Sequence, residues 1–245
     1  MKIIDSITTG KLQGCKQLAV LIDPDKSDEK QLARVAKLAV DSKVDYFFVG
    51  GSLLINNWLD SCIKILKETS GIPVILFPGN TLQMSYLADA MLFLSLISGR
   101  NAEMLIGRHV ITAPYLKNSN VEVMGTGYML IDSGRPTTVS YMSNSSPIPA
   151  DKVDIAMCTA MAGEMLGLKL IFMDAGSGAI NPVSATMIEH VSQSIGIPLI
   201  IGGGIKTPEL AQRSAKAGAD IIVIGNAIEK DPSVISEIAS SIKNI

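Results

Sequence analysis

Histidine occurs twice in this chain, cysteine three times, and aromatic residues make up only 4% of it. His109 and His190 stand apart from each other and from every cysteine, and no C-x-x-C pair exists, so no zinc motif is present. Both histidines fall in segments of helical pattern and read as packing or surface residues. The scattered Cys15, Cys62 and Cys158 exclude a disulfide framework and fit reduced thiols, which points to a cytoplasmic location. Charge of one sign is also missing. The net charge is -2 with both signs interspersed, so no basic stripe exists to hold nucleic acid. No apolar run approaches the roughly 18 residues of a membrane span. Residues 1–14 lack the continuous apolar core of a signal peptide. No transmembrane segment is therefore expected, although a peripheral membrane contact stays open.

What remains is aliphatic. Hydrophobic residues make up 47% of the chain, and with so few aromatics the core must be Ile, Leu, Val, Ala and Met. That composition suits a parallel sheet buried on both faces. Eight short apolar runs, at 18–22, 46–49, 73–77, 91–96, 121–124, 168–173, 198–201 and 221–224, read as strands. Helical patterns alternate with them. Ser27 precedes Asp28 and Glu29, after which Leu32, Val35, Ala36 and Ala39 mark one face. Asn181-Pro182, Thr207-Pro208 and Asp231-Pro232 each read as an N-cap followed by proline in the first helical position. Parallel neighbours need crossovers, and 245 residues match the roughly 250 of an eight-unit barrel. The fold expected is α/β: one (β/α)8 TIM barrel domain over residues 1–245. Segment 125–150 breaks the rhythm, and its Asp132-Ser133-Gly134 turn predicts a hairpin insertion after the fifth strand, serving as a lid or an oligomer contact. The chain is expected to be a homo-oligomer.

Candidate chemistry sits at strand ends, where barrel enzymes place their active sites. Strands seven and eight end in Gly202-Gly203-Gly204 and Gly225-Asn226. Bare amides at two adjacent turns of this kind can clamp one phosphate. Strand six ends in Phe172-Met173-Asp174-Ala175-Gly176-Ser177-Gly178, where Asp174 reads as a general base beside the clamp or, more plainly, as a loop or N-cap aspartate. Strand one ends in Asp23-Pro24-Asp25, whose carboxylates suit Mg2+ or simply shape a turn. Ser52, after strand two, reads as a helix N-cap or as an oxygen ligand beside Asp23, and the two roles are compatible. Leu53, Leu54, Phe93, Leu96 and Ile97 either line an apolar side of the mouth, with Arg100 as its cation, or belong to the barrel–helix layer.

Taken in order, Ile22-Asp23-Pro24-Asp25-Lys26, Gly50-Gly51-Ser52, Asp174-Ala175-Gly176-Ser177-Gly178, Gly202-Gly203-Gly204-Ile205 and Gly225-Asn226 resemble the geranylgeranylglyceryl phosphate synthase family. These are prenyltransferase barrels that form the first ether bond of archaeal-type lipids, and the resemblance runs from strand one to strand eight. It is nearer to the archaeal and Bacteroidetes-like group than to the shorter heptaprenyl enzymes of Firmicutes. The resemblance implies Mg2+ on Asp23 and Ser52. It also implies sn-glycerol 1-phosphate on Phe172, Met173, Asp174, Ala175, Gly176, Ser177, Gly178, Gly203, Gly204, Gly225 and Asn226. It makes Asp174 the base and a prenyl diphosphate, geranylgeranyl diphosphate, the second substrate. The family's strand-six motif usually reads Tyr-x-Glu; here Phe172 and Asp174 replace the tyrosine and the glutamate. On the residues alone three other readings compete: a phosphosugar isomerase or lyase, an FMN barrel, and a barrel that binds a phosphorylated ligand without catalysis.

Overall fold

The computed structural model describes residues 2–243 and 245. Its strands are β1 (Gln17–Ile22), β2 (Tyr46–Val49), β3 (Val74–Leu76), β4 (Ala90–Leu96), β5 (Glu122–Leu130), β6 (Leu170–Asp174), β7 (Leu199–Gly202) and β8 (Ile221–Ile224). All pair in parallel in sequence order, and β8 returns to β1 with Gln17 opposite Ile221, closing the barrel. Alternation along each strand divides the core in two. On β6, Leu170 and Phe172 point into the barrel, while Ile171 and Met173 pack under the helices. The N-terminal helix Ile3–Leu12 covers one end: Ile7 is buried in the inner core, and Glu122 accepts hydrogen bonds from the amides of Ile3 and Ile4. The carboxyl ends of the strands open at the other end. No helix among the described residues is long and apolar enough to cross a membrane.

Sequence and structure part at three places. Residues 125–150 form no hairpin. β5 runs on to Leu130, the chain makes one bridge between Ile131 and Ile148, and a short helix, Thr138–Ser143, lies between them. A capping box between Thr137 and Ser140 starts that helix. Gly127 lies within β5 and serves packing. A Cβ on Gly127 would lie 2.8 Å from Ile97 Cδ1 and 2.9 Å from Ile171 Cδ1. The second place is the helix after β6. It starts at Ala185, capped by Ser184 on the Met187 amide, three residues beyond the proline expected to begin it. The third is the last helix, which starts at Val234, two residues beyond the proline expected to begin it, whereas Thr207 caps the helix Pro208–Lys216 as its sequence predicts.

Candidate active site

One cavity of about 400 Å3 opens at the carboxyl ends of the strands. Asp23, Ser52, Phe172, Asp174, Gly176, Ser177, Gly178, Gly203, Gly204, Gly225 and Asn226 all line it. Met173 and Ala175 are the exceptions among the expected site residues. Both are fully buried in the barrel–helix layer, because alternation turns them outward, so the correction is that their side chains do not face the cavity.

The glycine side of the cavity is tightly built. Gly203 has φ +79, and a Cβ there would sit 2.5 Å from Asp174 Oδ1 and 2.6 Å from the Gly176 nitrogen. Only glycine lets β7 turn this close to the β6 loop. Asn226 Oδ1 accepts hydrogen bonds from Ser177 Oγ and the Gly178 amide, both at 3.3 Å, which ties the turns after β6 and β8 together. Lys206 adds an ammonium to this wall, anchored on the Ala179 carbonyl at 3.0 Å. It follows the glycine run by two residues, yet no motif marks a lone lysine.

Asp174 lies at the floor and is 7% exposed. Its Oδ1 accepts the Gly176 amide and its Oδ2 accepts the Tyr128 hydroxyl, each at 2.7 Å. Burial pushes its pKa above the usual carboxylate value, and the two hydrogen bonds pull partly back. Asp174 caps no helix, but its bond to the Gly176 amide also shapes the loop after β6. The scarce aromatics gather beneath it. Phe77 stacks on Phe172 at 5.0 Å between ring centres, and Tyr128 meets Phe172 edge-on at 5.6 Å. Tyr128 was hidden from sequence reading because it sits in the glycine-rich run taken for a hairpin.

Across the mouth, Asp23 both shapes its turn and faces the cavity. Its Oδ1 accepts the Asp25 amide at 3.1 Å, shaping the turn, while the side chain faces the cavity. Its Oδ2 pairs with Lys26 Nζ at 3.2 Å, and Lys26 also pairs with Glu229 at 3.2 Å. Burial lowers the Lys26 pKa, but Glu229 and Asp23 reverse this and leave it raised. Asp25 is excluded from the site, since the Ile55 and Asn56 amides take its carboxylate. Ser52 caps no helix; the next one starts at Leu59 after Trp58. Gln83 fixes the turn that carries Ser52. Its Oε1 accepts the amides of Gly51 and Gly79, and its Nε2 donates to the Gly51 carbonyl at 2.7 Å. Gly51 in turn lies against Asp23, with a Cβ position 3.4 Å from its carboxyl carbon. Asp23 and Ser52 thus offer a small set of hard oxygens. That set fits Mg2+, which commonly takes one or two protein carboxylates and completes its shell with water and phosphate oxygens.

Much of the remaining wall is apolar, although Glu103, Arg108 and Thr112 also line it. Met84, Met91, Phe93, Leu94, Leu96 and Met104, on or just after β3 and β4, form an apolar arm of the wall apart from the glycine turns of β6–β8. Leu53 joins the wall, but Leu54 and Ile97 do not. Arg100 is no wall cation; it donates to the Gly99 and Ile97 carbonyls of its own loop. His109 flanks the arm, edge-on to Phe93 at 4.4 Å and 3.3 Å from Ser95 Oγ, and burial lowers its pKa.

Residues 13–242 match the model of the PcrB family. A curated relative named geranylgeranylglyceryl phosphate synthase, from Chitinophaga pinensis, is 56% identical over 98% of this chain and 96% of its own length. An archaeal relative of the same name, from Thermococcus kodakarensis, is 42% identical over 91% of this chain and 88% of its own. The crystal structure of (S)-3-O-geranylgeranylglyceryl phosphate synthase from Thermoplasma acidophilum in complex with sn-glycerol-1-phosphate superposes with a TM-score of 0.95 at 33% identity, covering both chains completely.

Proposed function

The chain belongs to the PcrB family, and from that premise we propose that it joins a geranylgeranyl group, from its diphosphate, to the C3 hydroxyl of sn-glycerol 1-phosphate. It is a prenyltransferase; the prenyl donor, the metal and the residue roles are the parts proposed. The observation that carries the reading is the union, in one cavity, of a glycine-turn wall, a buried carboxylate and an apolar arm.

The clamp amides and Lys206 would hold the phosphate of the glycerol substrate, which leaves its C3 hydroxyl at the floor beside Asp174. Asp174 takes the hydroxyl proton as the C3 oxygen attacks C1 of the prenyl chain. Diphosphate leaves with the bonding electrons, so charge and atoms balance. Holding both partners in one orientation supplies much of the rate. Asp23 and Ser52 would hold Mg2+ on the opposite wall. When bound there, the ion neutralises charge on the diphosphate leaving group. The apolar arm buries the isoprenoid tail at roughly 0.8 kcal/mol per CH2 and keeps water from the allylic centre. A phosphosugar isomerase has no use for such an arm, and the FMN and non-catalytic readings leave the buried Asp174 without a task.

The test is product mass after incubation with Mg2+, sn-glycerol 1-phosphate and C15, C20 or C35 prenyl diphosphates. The C20 ether with release of diphosphate is expected. No ether product from any donor would overturn the proposal.

A further inference from the structure

The Tyr128 hydroxyl is an isolated polar group in an apolar setting. The residue is 4% exposed, packs with Phe77 and Phe172, and makes one side-chain hydrogen bond, to Asp174 Oδ2 at 2.7 Å. Parallel pairing puts Tyr128 directly opposite Phe172, two residues before Asp174, so β5 and β6 set the pair by register rather than by a flexible loop. The other carboxyl oxygen is taken by the Gly176 amide. On the β7 side stand Gly202 and Gly203, which carry no side chain. The charged residues elsewhere on the wall, Asp23, Lys26, Glu103, Arg108, Lys206 and Glu229, make no hydrogen bond or ion pair to Asp174 among the described residues. A buried carboxylate without a cation beside it depends on its hydrogen-bond donors to remain charged.

We propose that Tyr128 is a positioning residue for the reaction: its hydroxyl orients the Asp174 carboxylate and keeps it in the charged form that can take a proton. This rests on Asp174 being the base. β5 thereby supplies a donor to the catalytic carboxylate in a chain whose own strand six presents Phe172. Burial opposes ionisation of Asp174, and the Tyr128 hydrogen bond works against burial. Tyr128 stays a donor, because burial and the adjacent Asp174 charge hold its own pKa well above the ordinary phenol value.

The experiment follows Asp174 directly, by carboxyl 13C chemical shift in aspartate-labelled protein, with the resonance assigned through its loss in Asp174→Asn. In Tyr128→Phe the midpoint of that resonance is expected to rise by about one pH unit or more. Placing 3-fluorotyrosine at position 128, a stronger donor of nearly the same shape, is expected to lower it. The fluorinated protein carries the test if Tyr128→Phe does not fold. An unmoved midpoint in either variant overturns the proposal. The acid limb of kcat/KM, measured on the same proteins, separates the two claims. A limb that follows the resonance supports both. A resonance that moves under an unmoved limb overturns Asp174 as the base while supporting the hold of Tyr128 on its carboxylate.

Discussion

The two halves of the cavity are built from opposite materials. On the β6–β8 side the wall is backbone: glycine turns, with the loop after β6 held by Asp174 and tied to the turn after β8 through Asn226. On the β3–β5 side it is side chain, with Phe93, Leu94, Leu96 and three methionines forming a mainly apolar arm. A phosphate needs donors at fixed points, so its half tolerates almost no change in shape. A hydrocarbon tail needs area, and methionine adapts to whatever fills it. Substitutions should therefore split into those that destroy turnover or anchoring on one side and those that retune length on the other.

The largest effect expected is from Asp174→Asn, which should cut kcat by about 10^2–10^4-fold while titration calorimetry shows glycerol phosphate affinity nearly kept. Loss of affinity and turnover together would make Asp174 a binding group and blur the contrast. Next is Gly203→Ala. Its positive φ and the 2.5 Å approach to Asp174 leave no room for a methyl, so steady-state kinetics should show KM for glycerol phosphate raised by an order of magnitude or more. Thermal melts should report a loss of about 1–3 kcal/mol from backbone strain. On the apolar side, Met104→Trp should shift preference from C20 towards C15 donors in competition assays and leave the KM for glycerol phosphate within about twofold, since a bulky ring shortens the arm without touching the clamp. The smallest effect concerns pH. Burial raises the Asp174 pKa, so the acid limb of kcat should lie above the ordinary aspartate value of about 3.9. Activity falls as pH drops through it, because the protonated carboxyl cannot accept a proton. Donor-length preference, set by the arm, should stay flat across the same pH range.

How much of this was legible depended on what kind of signal each part leaves. Strand order and barrel closure followed from eight apolar runs, because burial on both faces forces continuous hydrophobicity. The glycine turns and Asp174 stood at strand ends, where the chain must expose polar groups. Tyr128 was missed because segment 125–150 read as a hairpin insertion, whereas β5 runs through it and Gly127 makes room for Ile97 and Ile171. Gln83 and Lys206 left no pattern, since each acts through a tertiary hydrogen bond to a backbone atom. In sequence Asp23 was favoured over Asp25 only by its place nearer the strand. Only the fold shows that the amides of residues 55 and 56 consume one carboxylate and leave the other facing the cavity.

The central claim is that one cavity presents a glycerol hydroxyl to Asp174 while the prenyl tail runs along the apolar arm. A crystal structure with sn-glycerol 1-phosphate and a non-reactive thiodiphosphate analogue of the C20 donor tests it most directly. The account predicts phosphate on the amides of residues 177–178, 203–204 and 225–226, the C3 oxygen about 2.6–3.2 Å from an Asp174 oxygen, and the tail against Phe93 and Met104. A C3 hydroxyl turned away from Asp174, or a tail lying outside the arm, would contradict it.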